Sequence, residues 1–287
     1  MSRLTTVWGE TLNPDAVLQE YPRPQLVRGS YLNLNGWWDY AITGSDEIPV
    51  RYDGKILVPF SPEAPLSGVN RTLLPGQVLW YRRTLNVTAQ PGKRLLLHIG
   101  AADQRTRVYL NGMLLSEHVG GYTAFTVELT RALAEENTLC IAVRDDTDKS
   151  PLSRGKQKTK RGGIWYTPQS GIWQTIWLEW VPETYISGLK ITPDAEKGSV
   201  RITVQSAQSR ACYVLFQGRR TGGYTNREMN LTVSEPELWS PEHPKLYDFA
   251  VELGDDHVES YFALRSVAVE KDAQGTMRLM LNGRPYF

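Results

Sequence analysis

Cysteine is scarce in this chain: Cys140 and Cys212 are the only two in 287 residues, and they sit in separate apolar runs. That excludes a disulfide framework and a thiolate metal site, so both read as buried free thiols. Histidine is almost as rare. His98, His118, His243 and His257 are scattered without ligand spacing, and His98 lies inside the apolar run Leu95 to Ile99, where a core histidine is the plainer reading. No run approaches the roughly 18 apolar residues that a membrane helix needs. Met1 to Asn13 lack the apolar stretch of a signal peptide. No membrane association and a reducing cytoplasm fit best. Excess charge is missing too: 32 Lys and Arg against 31 Asp and Glu leave no global field to gather nucleic acid. No serine sits in a Gly-x-Ser-x-Gly elbow. Gly120-Gly121 and Gly162-Gly163 lack the strand-to-helix context of a phosphate loop.

What the chain does have is short alternating apolar runs with turn residues between them, and many aromatics. Nine Trp and 14 Tyr serve as core anchors or as flat surfaces that stack on sugar rings. Strands are expected over Leu32 to Ile42, Lys55 to Pro59, Leu79 to Val87, Arg94 to Gly100, Thr106 to Leu110, Leu114 to Glu117, Thr123 to Leu129, Asn137 to Arg144 and Gln174 to Val181. Asn111-Gly112 and Asn282-Gly283, each flanked by apolar residues, are type I′ hairpin signals. One helical turn fits Arg131 to Glu136. After Pro182 a second series runs Ile186 to Thr192, Ser199 to Ser206, Ala211 to Gln217, Met229 to Val233, Tyr247 to Leu253 and His257 to Ala263. That is the scale of an immunoglobulin-like sandwich without its cysteine pair. The last hairpin has barely begun its return strand at Phe287, so the chain reads as the front part of a longer protein.

The stretch from Asp145 to Gly171 is long and irregular, and it carries Arg154, Lys156, Lys158, Lys160 and Arg161. Loops of this length are functional or disordered. The plain reading is a solvated basic loop; the sharper one is a cleft-edge loop that meets an anionic ligand. Asp145, Asp146 and Asp148 form the densest acidic cluster, directly after a strand, and read either as a solvated turn or as carboxylates reaching a ligand hydroxyl or cation.

Several segments together resemble one family. Leu32-Asn33-Leu34-Asn35-Gly36-Trp37-Trp38 is similar to the opening strand of glycoside hydrolase family 2, the β-galactosidase, β-glucuronidase and β-mannosidase group. Trp80-Tyr81-Arg82-Arg83, Tyr109-Leu110-Asn111-Gly112 and His118-Val119-Gly120-Gly121-Tyr122 resemble its next landmarks. Ser170 to Glu179 resembles the strand closing its first domain, and Leu238-Trp239-Ser240-Pro241-Glu242-His243-Pro244-Lys245-Leu246-Tyr247 a specific stretch of its second. Phe262-Ala263-Leu264-Arg265 and Leu281-Asn282-Gly283-Arg284-Pro285 resemble the junction into the third, with Ala263 where glycine is usual. The matches run in family order from about Leu32 onward.

The resemblance implies an all-β chain: a jelly-roll, galactose-binding-like β-sandwich over 1–182, an immunoglobulin-like β-sandwich over 183–272, and at 273–287 a β-hairpin stub opening a missing (β/α)₈ catalytic barrel. Family members hydrolyse terminal β-linked sugars with retention, using two barrel glutamates about 5–5.5 Å apart. The whole protein is therefore expected to act on a β-glycoside, β-galactosides first and β-glucuronides or β-mannosides as competitors, while this chain lacks the catalytic glutamates and is inactive alone. No cofactor is expected in this chain; magnesium or sodium would belong to full-length relatives. The expected partners are carbohydrate and the chain's own barrel, with homo-oligomerisation left open. For substrate contacts the resemblance picks out Asp146, which would hold a sugar hydroxyl; Trp165 and Tyr166, which would line the cleft; and, more loosely, Asn70. Trp165 to Gln169 replaces a stretch in which several relatives carry an aspartate near the sugar. A stand-alone carbohydrate-binding module is the alternative, and a structural or adhesive β-sandwich a third.

Overall fold

A computed structural model describes residues 5–286, and strands make up nearly all of its regular structure. Among the described residues the only α-helix is Val7–Glu10, started by the Thr6 side chain, which accepts the Gly9 N–H at 3.1 Å. Among the described residues no helix is long and apolar enough to cross a membrane. The chain divides into two compact units: residues up to Pro22 with Ser30–Trp180, and Arg23–Gly29 with the chain from Val181 onward.

The first unit is a two-layer sandwich. One sheet has six strands, in the order Gly54–Val58, Gly36–Thr43, Val78–Leu85, Asn137–Arg144, Arg105–Leu110 and Met113–Val119. The other has four: Leu32–Asn33, Ile176–Pro182, Lys93–Ile99 and Phe125–Glu128. The alternation read from the sequence sets what faces inward. Trp38, Leu79, Tyr81, Val108, Leu139 and Ile141 from the first sheet are buried in one cluster with Leu95, Leu97, Val127, Ile176 and Leu178 from the second. Trp38 meets Tyr81 edge-on at 6.4 Å and donates its Nε1–H to the Leu34 carbonyl at 2.8 Å. The run expected as one strand from Leu32 is broken before Gly36, whose φ of +109° turns the chain from one sheet into the other. Asn111 and Gly112, at φ +53° and +81°, form the expected hairpin, with Leu110 opposite Met113. The helical turn expected at Arg131 to Glu136 is a shorter 3₁₀ turn, Thr130–Ala132.

The second unit pairs a three-stranded sheet (Gly188–Asp194, Ser199–Gln205, Glu228–Thr232) with a four-stranded one (Arg219–Tyr224, Ala211–Phe216, Tyr247–Leu253, Asp256–Phe262). Its core holds Val200, Ile202, Val214, Phe216, Tyr247, Phe249, Val251 and Phe262, and Cys212 lies buried and unpaired among them. Residues 23–29 join this unit through Val27, which pairs with Glu259. Arg28 adds a buried fork to Asp256, its Nε and Nη2 both 2.9 Å from the carboxylate. A third, small sheet follows: Val267–Lys271, Met277–Leu281 and Arg284–Pro285, closed by Asn282 and Gly283 at φ +52° and +72°. Asn282 ties that turn back, donating to the Trp239 carbonyl at 3.0 Å and accepting the Ser266 N–H at 3.0 Å. Phe287 lies outside the described residues.

Candidate functional site

Five segments of the first unit converge beside the short ladder in which Ala102–Asp103 pairs with Gly171–Ile172. They carry Glu63, Asp103, Gly121 and Tyr122, Asp145, and Ser170 with Trp173. The Ser170 hydroxyl lies 3.1 Å from Glu63 Oε1 and 3.0 Å from Asp145 Oδ2, and Glu63 also accepts the Ser170 and Leu73 N–H groups. Thr147 gives Asp145 two more bonds, from its N–H at 2.6 Å and its hydroxyl at 3.2 Å. A hydroxyl has one hydrogen, so Ser170 satisfies both carboxyls fully only when one of them carries a proton. Burial, the dominant cause, raises the pKa of both.

Asp103 is the most perturbed member. It is 3% exposed and its Oδ1 has no partner, nor has either side-chain polar atom of the adjacent Gln104. Burial first, then the neighbouring Asp145 charge, push its pKa up from 3.8 to about 7. Gly121 lies so close that a Cβ there would stand 2.5 Å from the Asp103 carboxyl carbon, so only glycine lets this loop cross the carboxylate. Trp173 holds the loop by donating its Nε1–H to the Gly121 carbonyl at 2.7 Å, and Tyr122 meets the Trp173 ring edge-on at 6.1 Å. Gly171 is fixed from the other side: at φ +76°, a Cβ would fall 2.1 Å from the Tyr81 hydroxyl, which accepts the Ile172 N–H. The Asp103 carboxyl lies buried beneath Gly121, so its raised pKa bears on the stability of this network.

Of the four residues singled out from the sequence, Asp146 and Asn70 lie on segments tied to this network, and Trp165 and Tyr166 line a separate hollow in their own loop. Asp146 is half-buried next to Asp145, but its Oδ1 accepts the Gly76 N–H at 2.9 Å, which leaves Oδ2 for any other partner. Asn70 is exposed at φ +52°, on the loop whose ends are held by Glu63 and by the Arg71 N–H to the Pro62 carbonyl at 2.8 Å. Trp165 and Tyr166 lie in the long loop after Asp148. That loop bonds to itself: Tyr166 N–H to the Lys156 carbonyl at 2.7 Å, and Gly162 and Trp165 exchanging two backbone bonds of 3.1 Å. Trp165 is half-buried under the Lys158 ammonium, 4.2 Å from its ring centre, while Tyr166 is 66% exposed. No group of three or more His, Cys, Asp or Glu among the described residues is arranged to hold a metal ion. Sequence reasoning passed over Asp103, Glu63 and Ser170, because nothing local marks a strand-end aspartate as buried beside two other carboxyls. The adjoining Gly120-Gly121 pair was the available signal.

The sequence pattern of the Glycosyl hydrolases family 2 matches residues 184–265, nearly the whole second sandwich. A β-glucuronidase of Canis lupus familiaris is 26% identical over 321 aligned residues, covering 93% of this chain and 48% of its own length. Residues 184–265 thus carry the family 2 pattern, and most of the chain is similar to β-glucuronidases and β-galactosidases. A β-galactosidase of Bacteroides ovatus is 27% identical over 68% of this chain and 25% of its own length. Among solved structures, a Faecalibacterium prausnitzii β-glucuronidase superposes with a TM-score of 0.68 at 23% identity, covering 93% of this chain and 50% of that one. A Ruminococcus gnavus β-glucuronidase superposes with a TM-score of 0.72 at 18% identity. These structural matches establish the all-β sandwich fold. The chain spans about half or less of the length of these relatives.

Proposed function

We propose that this chain forms the two non-catalytic sandwiches of a retaining glycosidase that removes terminal β-linked sugars, and that the acid/base and nucleophile glutamates lie in a (β/α)₈ part outside residues 1–287. The observation that carries this reading is the likeness along 93% of the chain to a β-glucuronidase about twice as long. The β-galactosidase match supports a β-galactoside as the alternative sugar. The exposed face of the small C-terminal sheet adds support. Val267, Val269, Met277 and Leu279 share one face by register and are each more than half exposed, an apolar patch of the kind that a further domain covers.

In this reading Asp146 is the carboxylate the first sandwich offers to ligand, through its Oδ2, while Asp103 lies buried behind Gly121 and helps to shape the site from within. The cleavage itself proceeds on carboxyls that this chain does not supply, which is why it is inactive alone. Magnesium or sodium, if used, would act beside those carboxyls.

The test is a panel of p-nitrophenyl β-glucuronide, β-galactoside and β-mannoside, given to residues 1–287 and to the full-length protein. The reading predicts no turnover by the first and turnover of one glycoside by the second, with retained anomeric configuration. Hydrolysis by residues 1–287, or a full-length protein inert to all three, overturns it. In the full-length protein Asp146→Ala should lower kcat/KM by at least about 1.5 kcal/mol if a charged hydrogen bond to substrate is lost. Unchanged kinetics would reduce Asp146 to its turn role with Gly76.

A further inference from the structure

Between Asp148 and Glu179 the sequence contains no acidic residue but six cations: Lys149, Arg154, Lys156, Lys158, Lys160 and Arg161. In a chain of net charge +1 this is a strongly local field. None of the six forms an ion pair with a carboxylate among the described residues. The one acid at the base of the finger, Asp148, is spent on Thr159, accepting its N–H at 3.0 Å and its hydroxyl at 2.8 Å. A merely solvated loop mixes both signs; here like charges are held together.

The finger is also held by its own hydrogen bonds. Besides its backbone bonds, Gln169 N–H donates to Gln157 Oε1 at 2.7 Å, which leaves the Gln157 amide hydrogens free to donate. Lys156, Gln157, Arg161, Trp165, Tyr166 and Gln169 line an open hollow of about 810 Å³. Lys158 covers a face of Trp165, so Tyr166 offers the open ring, with Ile164 beside it and equally exposed. A flat ring next to cations and amide donors suits a sugar ring bearing a negative charge. The planar guanidinium of Arg161 matches a carboxylate in particular.

We propose that residues 154–169 form a subsite for a uronate-bearing, acidic glycan, with Tyr166 stacking on a sugar ring and Lys156 and Arg161 taking its carboxylates. The proposal rests on the carbohydrate-processing function proposed above. The probes are tetragalacturonate, its neutral counterpart cellotetraose, and octathymidylate, titrated into the full-length protein by calorimetry at low and at raised salt. The subsite predicts tetragalacturonate binding at least tenfold tighter than cellotetraose at low salt, a gap that narrows as salt screens the cations. Tyr166→Ala and the double variant Lys156→Ala/Arg161→Ala should each weaken tetragalacturonate at least tenfold. Because this loop is exposed, unchanged circular dichroism is expected for both.

Equal binding of the two tetramers, no binding of tetragalacturonate, variants that bind it as tightly as the parent, or tighter binding of octathymidylate would each overturn the subsite. Hydrolysis of p-nitrophenyl glycosides is read separately: turnover without tetragalacturonate binding overturns the subsite alone, and tetragalacturonate binding without turnover overturns the hydrolase alone.

Discussion

Asp103 sets the pH behaviour at the residue scale. Its folded pKa of about 7 lies above the ordinary value of 3.8, so the folded protein holds this proton more tightly than the unfolded chain. The stabilising contribution is full below pH 4 and lost as pH rises towards 7. Glu63 and Asp145 are raised as well, so they add a loss of the same sign. Asp103→Asn should flatten the fall in Tm between pH 5 and 8 and leave the variant the more stable at pH 8, by at most about 4 kcal/mol. A parent and variant with parallel Tm curves would show that Asp103 is ionised without cost. Gly121→Ala tests the same contact sterically. The added methyl meets the Asp103 carboxyl, and about 1–3 kcal/mol of stability should be lost in chemical denaturation.

The residues also show what the sequence could tell. The aspartate cluster at 145–148 stood out locally, but which member is buried was not visible: Asp145 is inside the network and Asp146 is bonded to Gly76. Asp103 gained its importance from Glu63 and Asp145, both remote in sequence.

At the scale of elements, turn chemistry was legible and crowding was not. Asn111-Gly112 and Asn282-Gly283 could be placed because a type I′ turn depends on two adjacent residues alone. Asn111 does more than turn the chain: its side chain donates to the Ala132 carbonyl at 2.9 Å and accepts the Thr138 N–H at 2.8 Å. Asn111→Ala should therefore cost about 2 kcal/mol in denaturant unfolding, through lost bonds and a strained positive φ. The strand Arg219–Tyr224 escaped notice because its glycine pair breaks the alternation. The glycines are there because neighbours crowd them: a Cβ on Gly223 would stand 2.3 Å from Met229 Sδ, and one on Gly222 3.3 Å from the Tyr213 ring. Residues 23–29 were equally silent, since Arg28 takes its place from Asp256 and Ile186, both remote in sequence.

For the whole molecule, the all-β class followed from strand spacing. The exposed apolar face of the C-terminal sheet predicts that residues 1–287 alone self-associate, which sedimentation would detect as a mass rising with concentration; the double substitution Val269→Asp/Leu279→Asp should restore a monomer. The central proposal is that this chain lends sandwiches to a catalytic part outside residues 1–287. The most direct measurement traps the covalent intermediate: the full-length protein is incubated with 2-deoxy-2-fluoro-β-glucuronyl and β-galactosyl fluorides, digested, and the labelled peptide identified by mass spectrometry. A glycosyl ester on a glutamate outside residues 1–287, with none inside, is the predicted result. An ester on a carboxylate within residues 1–287 would contradict the account.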